Sequence, residues 1–346
     1  METTEVLVIG LGPGGASAAG MAAHGGAQVV AVERRAMIGM PVQCAEFIPL
    51  PLGRYATAPG VCIQRLAAMH TYLPSGTLHR ADYPGLMIDR AAFDQALAAQ
   101  AQAAGARLWT GTALVALDAA NNTATLWHDD KPFTVRYQVL IGADGPHSLV
   151  AKAAGLAPQP CLHTRQYTVP LLQPHDATDF WLHDDYPGGY AWLFPKGQQA
   201  NLGLGVDKRW QRELKTPLDR LRQHLIRSGR VGAEILARTG GAVPVGGLRP
   251  TLNTRNILWV GDAAGLTHPI TGAGIAAAVL SGEMAGQAAL DFLGQGTALD
   301  EYAEELEDHY GPVLRRALAQ RQHLQTFWQH GQPIDDQTWQ AHWVGA

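Results

Sequence analysis

Apolar runs alternate with small-residue stretches along this chain, and the pattern reads as buried strands feeding helices. Residues 6–9, Val-Leu-Val-Ile, contain no polar position and predict a buried strand. An Ala-rich helix follows Gly15 and stops at Gly25-Gly26. The next apolar run, Val29 to Val32, closes on Glu33. Asp89 is a natural N-cap for a second Ala-rich helix that reaches Gly105. Short alternating segments predict strands at 107–109, 112–117, 123–128 and 133–136, and 138–145 reads as a buried strand ending in a polar turn.

Residues 160–206 are rich in Trp, Tyr, Phe, Pro and Gly with strand-like alternation, which predicts an antiparallel sheet. Residues 209–239 read as helical. A strand returns at 256–260, a Gly/Ala-rich helix starts at about Gly272, and a last helix starts near Leu299 with Tyr302, Leu306, Tyr310, Val313, Leu314 and Leu318 near helical spacing. Its acids fall early and its arginines late, as the helix dipole favours, and Pro312 predicts a kink.

Composition narrows the class. The chain has 346 residues, enough for a full core in two lobes, with 47% hydrophobic and 16% charged residues and 39 glycines. That suits an α/β enzyme with many tight turns. A net charge of −4 without a basic cluster excludes a nucleic-acid binder. Cys44, Cys62 and Cys161 are scattered, with neither disulfide nor zinc spacing, so no metal is expected and a reducing compartment fits. The first residues enter a strand directly, and the apolar window 263–282 is broken by glycines and Pro269. The expectation is a cytoplasmic protein with no transmembrane segment.

Gly10, Gly12 and Gly15 follow the first strand at G-x-G-x-x-G spacing. The first allows a tight turn, the second lets backbone approach a pyrophosphate, and the third lets the next helix pack on the sheet with its N–H groups facing phosphate. Glu33 stands where an acid holds a ribose hydroxyl. Two further segments are built for the same ligand: Gly142-Ala-Asp-Gly-Pro-His-Ser148 and Gly261-Asp-Ala-Ala-Gly-Leu-Thr-His-Pro-Ile-Thr-Gly-Ala-Gly-Ile275.

With these three motifs in this order, most of the chain resembles the flavoprotein monooxygenase and reductase superfamily of the p-hydroxybenzoate hydroxylase fold. The resemblance implies an α/β protein with a discontinuous Rossmann-type FAD-binding domain (1–60, 86–160 and 245–295), an antiparallel-sheet substrate domain (61–85 and 161–244) and a C-terminal helical segment (296–346). It implies FAD as cofactor, with Asp262 on the ribityl chain and Pro269, Gly272, Ala273 and Gly274 along the flavin. Arg34, Arg90, Ala113 and Asp144 complete the expected cofactor residues beside Gly10, Gly12, Gly15 and Glu33.

Two segments resemble the geranylgeranyl-reductase-like branch. Pro41-Val-Gln-Cys-Ala-Glu46 matches a cysteine loop beside the flavin, and Gly189-Tyr-Ala-Trp-Leu-Phe-Pro-Lys196, followed by Asn201-Leu-Gly-Leu-Gly-Val206, matches a Tyr-x-Trp-x-Phe-Pro signature. Alternation puts Tyr190, Trp192 and Phe194 on one strand face, an aromatic wall suited to an apolar or aromatic substrate. Candidate catalytic groups are Cys44, Glu46 and His268, each weighed against an ordinary packing role.

The leading expectation is an FAD-dependent oxidoreductase that reduces C=C bonds of an apolar, isoprenoid-like substrate. One alternative is a flavin-hydroperoxide monooxygenase acting on an aromatic substrate, including tryptophan of a partner protein in quinone-cofactor maturation. The segment Thr-Gly-Ala-Gly-Ile differs from the Gly-Gln-Gly-x-Asn of small-phenol hydroxylases and disfavours that group. Another alternative is a non-catalytic FAD-binding assembly factor. Trp328, Trp339 and Trp343 could meet a partner, but covering the preceding helix is the better reading. A second G-x-G-x-x-G is absent from the sequence, so the electron donor is expected to dock transiently: NAD(P)H, a flavin donor or a ferredoxin.

Overall fold

The computed structural model describes residues 1–343. The last three positions of the expected C-terminal segment, 344–346, lie outside the described residues. A six-stranded sheet carries the first glycine turn, in the order Asn253–Thr254, Ile257–Trp259, Val139–Gly142, Val6–Ile9, Val29–Val32, Arg107–Trp109. Every pair is parallel except the edge pair Asn253–Thr254 with Ile257–Trp259. Its four inner strands are buried at every residue, as a parallel sheet covered on both faces requires. Each buried Val, Leu or Ile contributes roughly 1.5–3 kcal/mol, so these runs fix the strand ends from which the cofactor turns leave.

The helix Pro13–His24 starts three residues earlier than expected, with Gly12 as N-cap and Pro13 in the first turn. Proline is at home there because the first helical N–H groups lack partners anyway. Against it lies Ile275–Gln295, so close that a Cβ on Gly282 would stand 2.2 Å from the Gly14 carbonyl oxygen. Small residues on both helices permit that approach. Asp89 caps Arg90–Ala103 by accepting from the Ala92 N–H at 2.9 Å, as its sequence predicts.

A four-stranded sheet (Glu2–Thr3, Lys131–Arg136, Thr123–His128, Ala113–Asp118) flanks this unit. The larger sheet is built from Ala237–Thr239, Cys161–Pro170, Gln199–Val206, Ala191–Lys196, Ala177–Trp181, Cys62–Tyr72, Leu78–Ile88 and Phe47–Pro49 in that order, with Ala242–Pro244 also on Cys161–Pro170. It is antiparallel but for one pair, Ala177–Trp181 with Cys62–Tyr72. One face packs on Leu218, Leu221 and Leu225 of the helix Lys215–Arg227. The other meets the C-terminal helices Asp300–Gln329 and Asp336–Trp343.

Three expectations change. The helix expected over 209–239 spans only Lys215–Arg227: Gly229 adopts φ +70°, and Ala237–Thr239 joins the large sheet. The large sheet also takes in 47–49 and 86–88, stretches assigned by sequence to the cofactor unit. The last long helix, Asp300–Gln329, keeps Pro312 inside it, and a further short helix that was not expected, Asp336–Trp343, follows it.

Candidate active site

The carboxyl ends of the parallel strands open into a cleft of about 1110 Å³. Eight of the expected cofactor residues line it: Gly10, Gly12, Glu33, Arg34, Arg90, Ala113, Asp144 and Asp262. Each glycine of the first turn plays a distinct part. Gly10 adopts φ +101°, where a Cβ would press to 2.4 Å from the Ala143 carbonyl oxygen. A Cβ on Gly15 would lie 1.9 Å from the Gly10 oxygen, so this position serves packing. Gly12 has nothing within 4 Å of its Cβ position, leaving open space over the N-terminus of Pro13–His24. That space and those free N–H groups fit a pyrophosphate.

The acids fit the rest of a dinucleotide. Glu33 accepts from the Leu11 and Arg35 N–H groups at 3.1 and 2.9 Å, which holds its carboxylate at the strand end. Asp144 binds the Leu149 and Val150 N–H groups through Oδ2 at 2.6 and 3.0 Å, while its buried Oδ1 has no partner among the described residues. A buried acceptor without a partner, on a residue that lines the cleft, leaves a place for a ligand donor. Burial pushes the carboxyl of Asp262 above its usual range, opposed by the Thr267 hydroxyl donating to Oδ1 at 2.6 Å. The residues present fit FAD: Gly12 would face its pyrophosphate, Glu33 and Asp262 would take sugar hydroxyls, and Asp144 would accept from a further donor.

Beside the cleft runs the 41–46 loop, whose Pro41, Val42 and Gln43 line the wall. Cys44 is half-buried, and its Sγ accepts from the Glu46 N–H at 3.2 Å. Burial raises the Cys44 thiol above its ordinary value, while the Arg90 guanidinium pulls the other way. Arg90 is fixed bidentately on Asp94, at 2.7 and 3.2 Å. Burial works against the Arg90 charge, but the Asp94 carboxylate outweighs it and keeps the guanidinium protonated.

Glu46 is buried, with φ +74°, a backbone strained for a non-glycine residue. Its carboxylate is fully engaged. It accepts from Lys196 Nζ at 2.9 and 3.0 Å, from the Arg90 N–H at 2.9 Å and from Asn201 Nδ2 at 2.8 Å. These bonds make Glu46 an anchor for the cysteine loop, with both oxygens occupied. His268 is also tied locally: its Nδ1 accepts from the Ile270 and Thr271 N–H groups at 3.3 and 3.2 Å, and burial lowers its pKa. That leaves a neutral ring with its proton on Nε2.

Tyr190, Trp192 and Phe194 share one face, as alternation predicts, but they pack with Phe180 and Trp343 in a buried cluster, and none of the three lines the cleft. Ring centroids of Tyr190 and Trp343 stand 4.9 Å apart, edge to face. The Tyr190 hydroxyl donates to the Thr271 carbonyl, which joins the aromatic strand to the segment holding Pro269, Gly272, Ala273 and Gly274. In that segment Gly272 adopts φ +69°, and a Cβ on it would reach 3.5 Å from the Tyr190 hydroxyl. From the C-terminal helix, buried Arg321 donates to the Gly188 and Pro269 carbonyls at 2.7 and 3.2 Å. The Trp192 indole N–H donates to Gln166 Oε1 at 3.0 Å, and Gln166 Nε2 donates to the Cys44 carbonyl at 3.1 Å.

Sequence reasoning passed over Gln166, Phe180 and Arg321, which carry no local signature. Lys196 and Asn201 stood inside segments already singled out, so their polarity beside an apolar strand was a usable signal. It also passed over a set of cations at the cleft, Arg165, Lys208, Arg212 and Lys215, scattered in sequence and gathered only by folding.

Known proteins support the same picture. A family model described as the geranylgeranyl reductase catalytic domain matches residues 159–243. The digeranylgeranylglycerophospholipid reductase of Methanocella arvoryzae is 33% identical, over 90% of this chain and 84% of that protein. Its namesake from Thermoplasma acidophilum is 32% identical, over 94% and 87%. The crystal structure of a geranylgeranyl bacteriochlorophyll reductase-like protein from Thermoplasma acidophilum superposes with a TM-score of 0.85 at 29% identity, covering 95% of this chain and 91% of that one. Aklavinone-11 hydroxylase, solved with FAD and aklavinone, shares the fold at a TM-score of 0.74 and 19% identity, over 95% and 69%. The fold is thus the p-hydroxybenzoate hydroxylase-like one, and the protein is an enzyme of an FAD-dependent type. By sequence and structure together, the chain belongs to the digeranylgeranylglycerophospholipid reductase family.

Proposed function

We propose that this protein reduces C=C bonds in the isoprenoid chains of a geranylgeranyl-bearing glycerolipid. The observation that carries this reading is the bond path from Trp192 through Gln166 to the carbonyl of Cys44. It ties the buried aromatic strand to the cysteine loop, whose Pro41, Val42 and Gln43 line the cofactor cleft. Bound in the cleft and reduced, FAD would supply the hydride chemistry that the double bond requires. The chain's own residues do the rest. Cys44, held as a thiol by burial, delivers the proton to the second carbon.

Glu46 and His268 serve position in this scheme. The Glu46 carboxylate holds the loop, and His268 Nδ1 shapes the turn before Gly272. For the electron donor, the cations at the cleft favour an anionic reductant, NAD(P)H among them. Lys208 and Arg212 have no ion-pair partner among the described residues and leave their charge for such a ligand. Among the described residues no helix is long and apolar enough to cross a membrane. Free cysteines at 44, 62 and 161 fit work in a reducing, cytoplasmic setting.

Assay of lipid double-bond reduction in Trp192→Phe tests the reading. The variant keeps the ring but loses the donor to Gln166, so turnover falls while flavin content holds. Turnover equal to wild type would remove this support for the reading.

A further inference from the structure

Away from the aromatic wall, one carboxylate oxygen receives two imidazoles. Asp179 is wholly buried, and its Oδ1 lies 3.1 Å from His70 Nδ1 and 3.0 Å from His175 Nε2. The other oxygen, Oδ2, pairs with Arg230. His70 and Asp179 are direct partners across the parallel pair Cys62–Tyr72 and Ala177–Trp181, the one parallel joint described in the large sheet. His175 stands four residues before Asp179, and its carbonyl is held by Gln64 Nε2 at 2.6 Å. One ligand atom from each of the three residues lies within 4.8 Å of the others. Phe180 faces the aromatic cluster, so its neighbour Asp179 points to the opposite side of the sheet.

We propose that His70, His175 and Asp179 form a binding site for a divalent transition-metal ion of the Zn2+ class, which clips the two parallel strands together. The donor set chooses the metal. Two imidazole nitrogens and one carboxylate oxygen suit zinc, whereas calcium and magnesium take oxygen ligands. Zinc bonds of about 2.0–2.2 Å in tetrahedral geometry place ligand atoms about 3.3–3.5 Å apart. The two observed distances to Oδ1 are close to that, and a small turn of the half-buried rings brings the nitrogens in. Arg230 holds Oδ2 and so aims Oδ1, the part an outer-shell partner plays at metal sites. The imidazole side chains are 18 and 19% exposed, which provides an entry path and room for water as fourth ligand.

The site is structural in this proposal and independent of the reductase reading. It fastens the strand pair whose far face carries Phe180 against Tyr190 and Phe194. The test uses the full-length protein, stripped with a chelator, then titrated with Co2+ alone and Zn2+ alone. Wild type is expected to take up one equivalent with a tetrahedral Co2+ spectrum that Zn2+ abolishes, and Zn2+ raises its melting temperature. His70→Gln and His175→Gln should each weaken binding by roughly tenfold or more and remove the thermal shift. Retained flavin and an unchanged melting temperature without metal identify a folded variant; if one of the two does not fold, the other gives the comparison. Absence of stoichiometric Co2+ or Zn2+ uptake by wild type would overturn the proposal and leave a hydrogen-bonded carboxylate clamp. Equal affinity in a folded variant would overturn it too, by placing the metal elsewhere among the 14 histidines.

Discussion

Lys196 holds its ammonium nitrogen 2.9 and 3.0 Å from the two carboxylate oxygens of Glu46, tying the strand of Tyr190, Trp192 and Phe194 to the loop of Cys44. Both side chains are largely buried, at 19% and 5% exposure. Breaking such a pair strands a charge and costs about 3–5 kcal/mol. Lys196→Met is therefore expected to lower unfolding free energy toward that range, with Arg90 and Asn201 limiting the loss. Denaturant titration checks it. A change within about 0.5 kcal/mol, as for a surface site, would show that the pair does not hold the loop.

The glycine turn offers a paired test. A Cβ at Gly12 meets no protein atom within 4 Å, so Gly12→Val should keep the fold while flavin retention is lost. Gly15→Val drives a Cβ into the Gly10 carbonyl and should destabilise the apoprotein itself. Thermal melts of the apoproteins with flavin absorbance separate the two. A yellow Gly12→Val protein would remove the phosphate assignment.

The Cys44 thiol supplies a pH signature. Its pKa is raised, and the donor is the protonated form, so turnover should hold through neutral pH and fall as pH rises through that pKa. Cys44→Ser should keep flavin, slow turnover by about 10²–10⁴-fold, and lose the alkaline fall. Rate against pH for both proteins is the measurement. An identical alkaline limb in the variant would assign the proton to another group.

Arg321 joins the C-terminal helix to the flavin segment through Pro269 and to the aromatic strand through Gly188. Burial lowers its pKa to about 10, against the support of Asp207. Arg321→Met removes the donor from two carbonyls, at about 1–3 kcal/mol for each one left unsatisfied. A lower melting temperature and a shifted flavin reduction potential are expected together. Lost stability with an unmoved potential would make Arg321 a packing residue without influence on the flavin segment.

Local signals carried much of this structure. Buried parallel strands, glycine turns and the Asp89 cap are written in short stretches, because burial and backbone geometry act there residue by residue. The helix expected over 209–239 failed where local composition was uninformative, since Ala237–Thr239 becomes a strand only by pairing with Gln166, Tyr167 and Thr168. The site divides likewise. Gly12, Asp144 and Asp262 stand in motifs, whereas Gln166 and Arg321 reach it from afar. Glu46 shows the limit of a residue type: a carboxylate beside a cysteine reads as an acid or base until four hydrogen bonds are seen to occupy it. Trp339 and Trp343 cover the preceding helix at Ala317 and Leu324, as expected, and Trp343 also reaches Tyr190.

The most direct measurement mixes the reduced flavoprotein, without oxygen, with a geranylgeranyl-bearing glycerolipid and follows flavin absorbance and lipid mass together. The account predicts that the flavin reoxidises as the lipid gains two hydrogens for each double bond consumed. A flavin that stays reduced beside unchanged lipid, or a product formed only with oxygen and carrying an added oxygen atom, would contradict it.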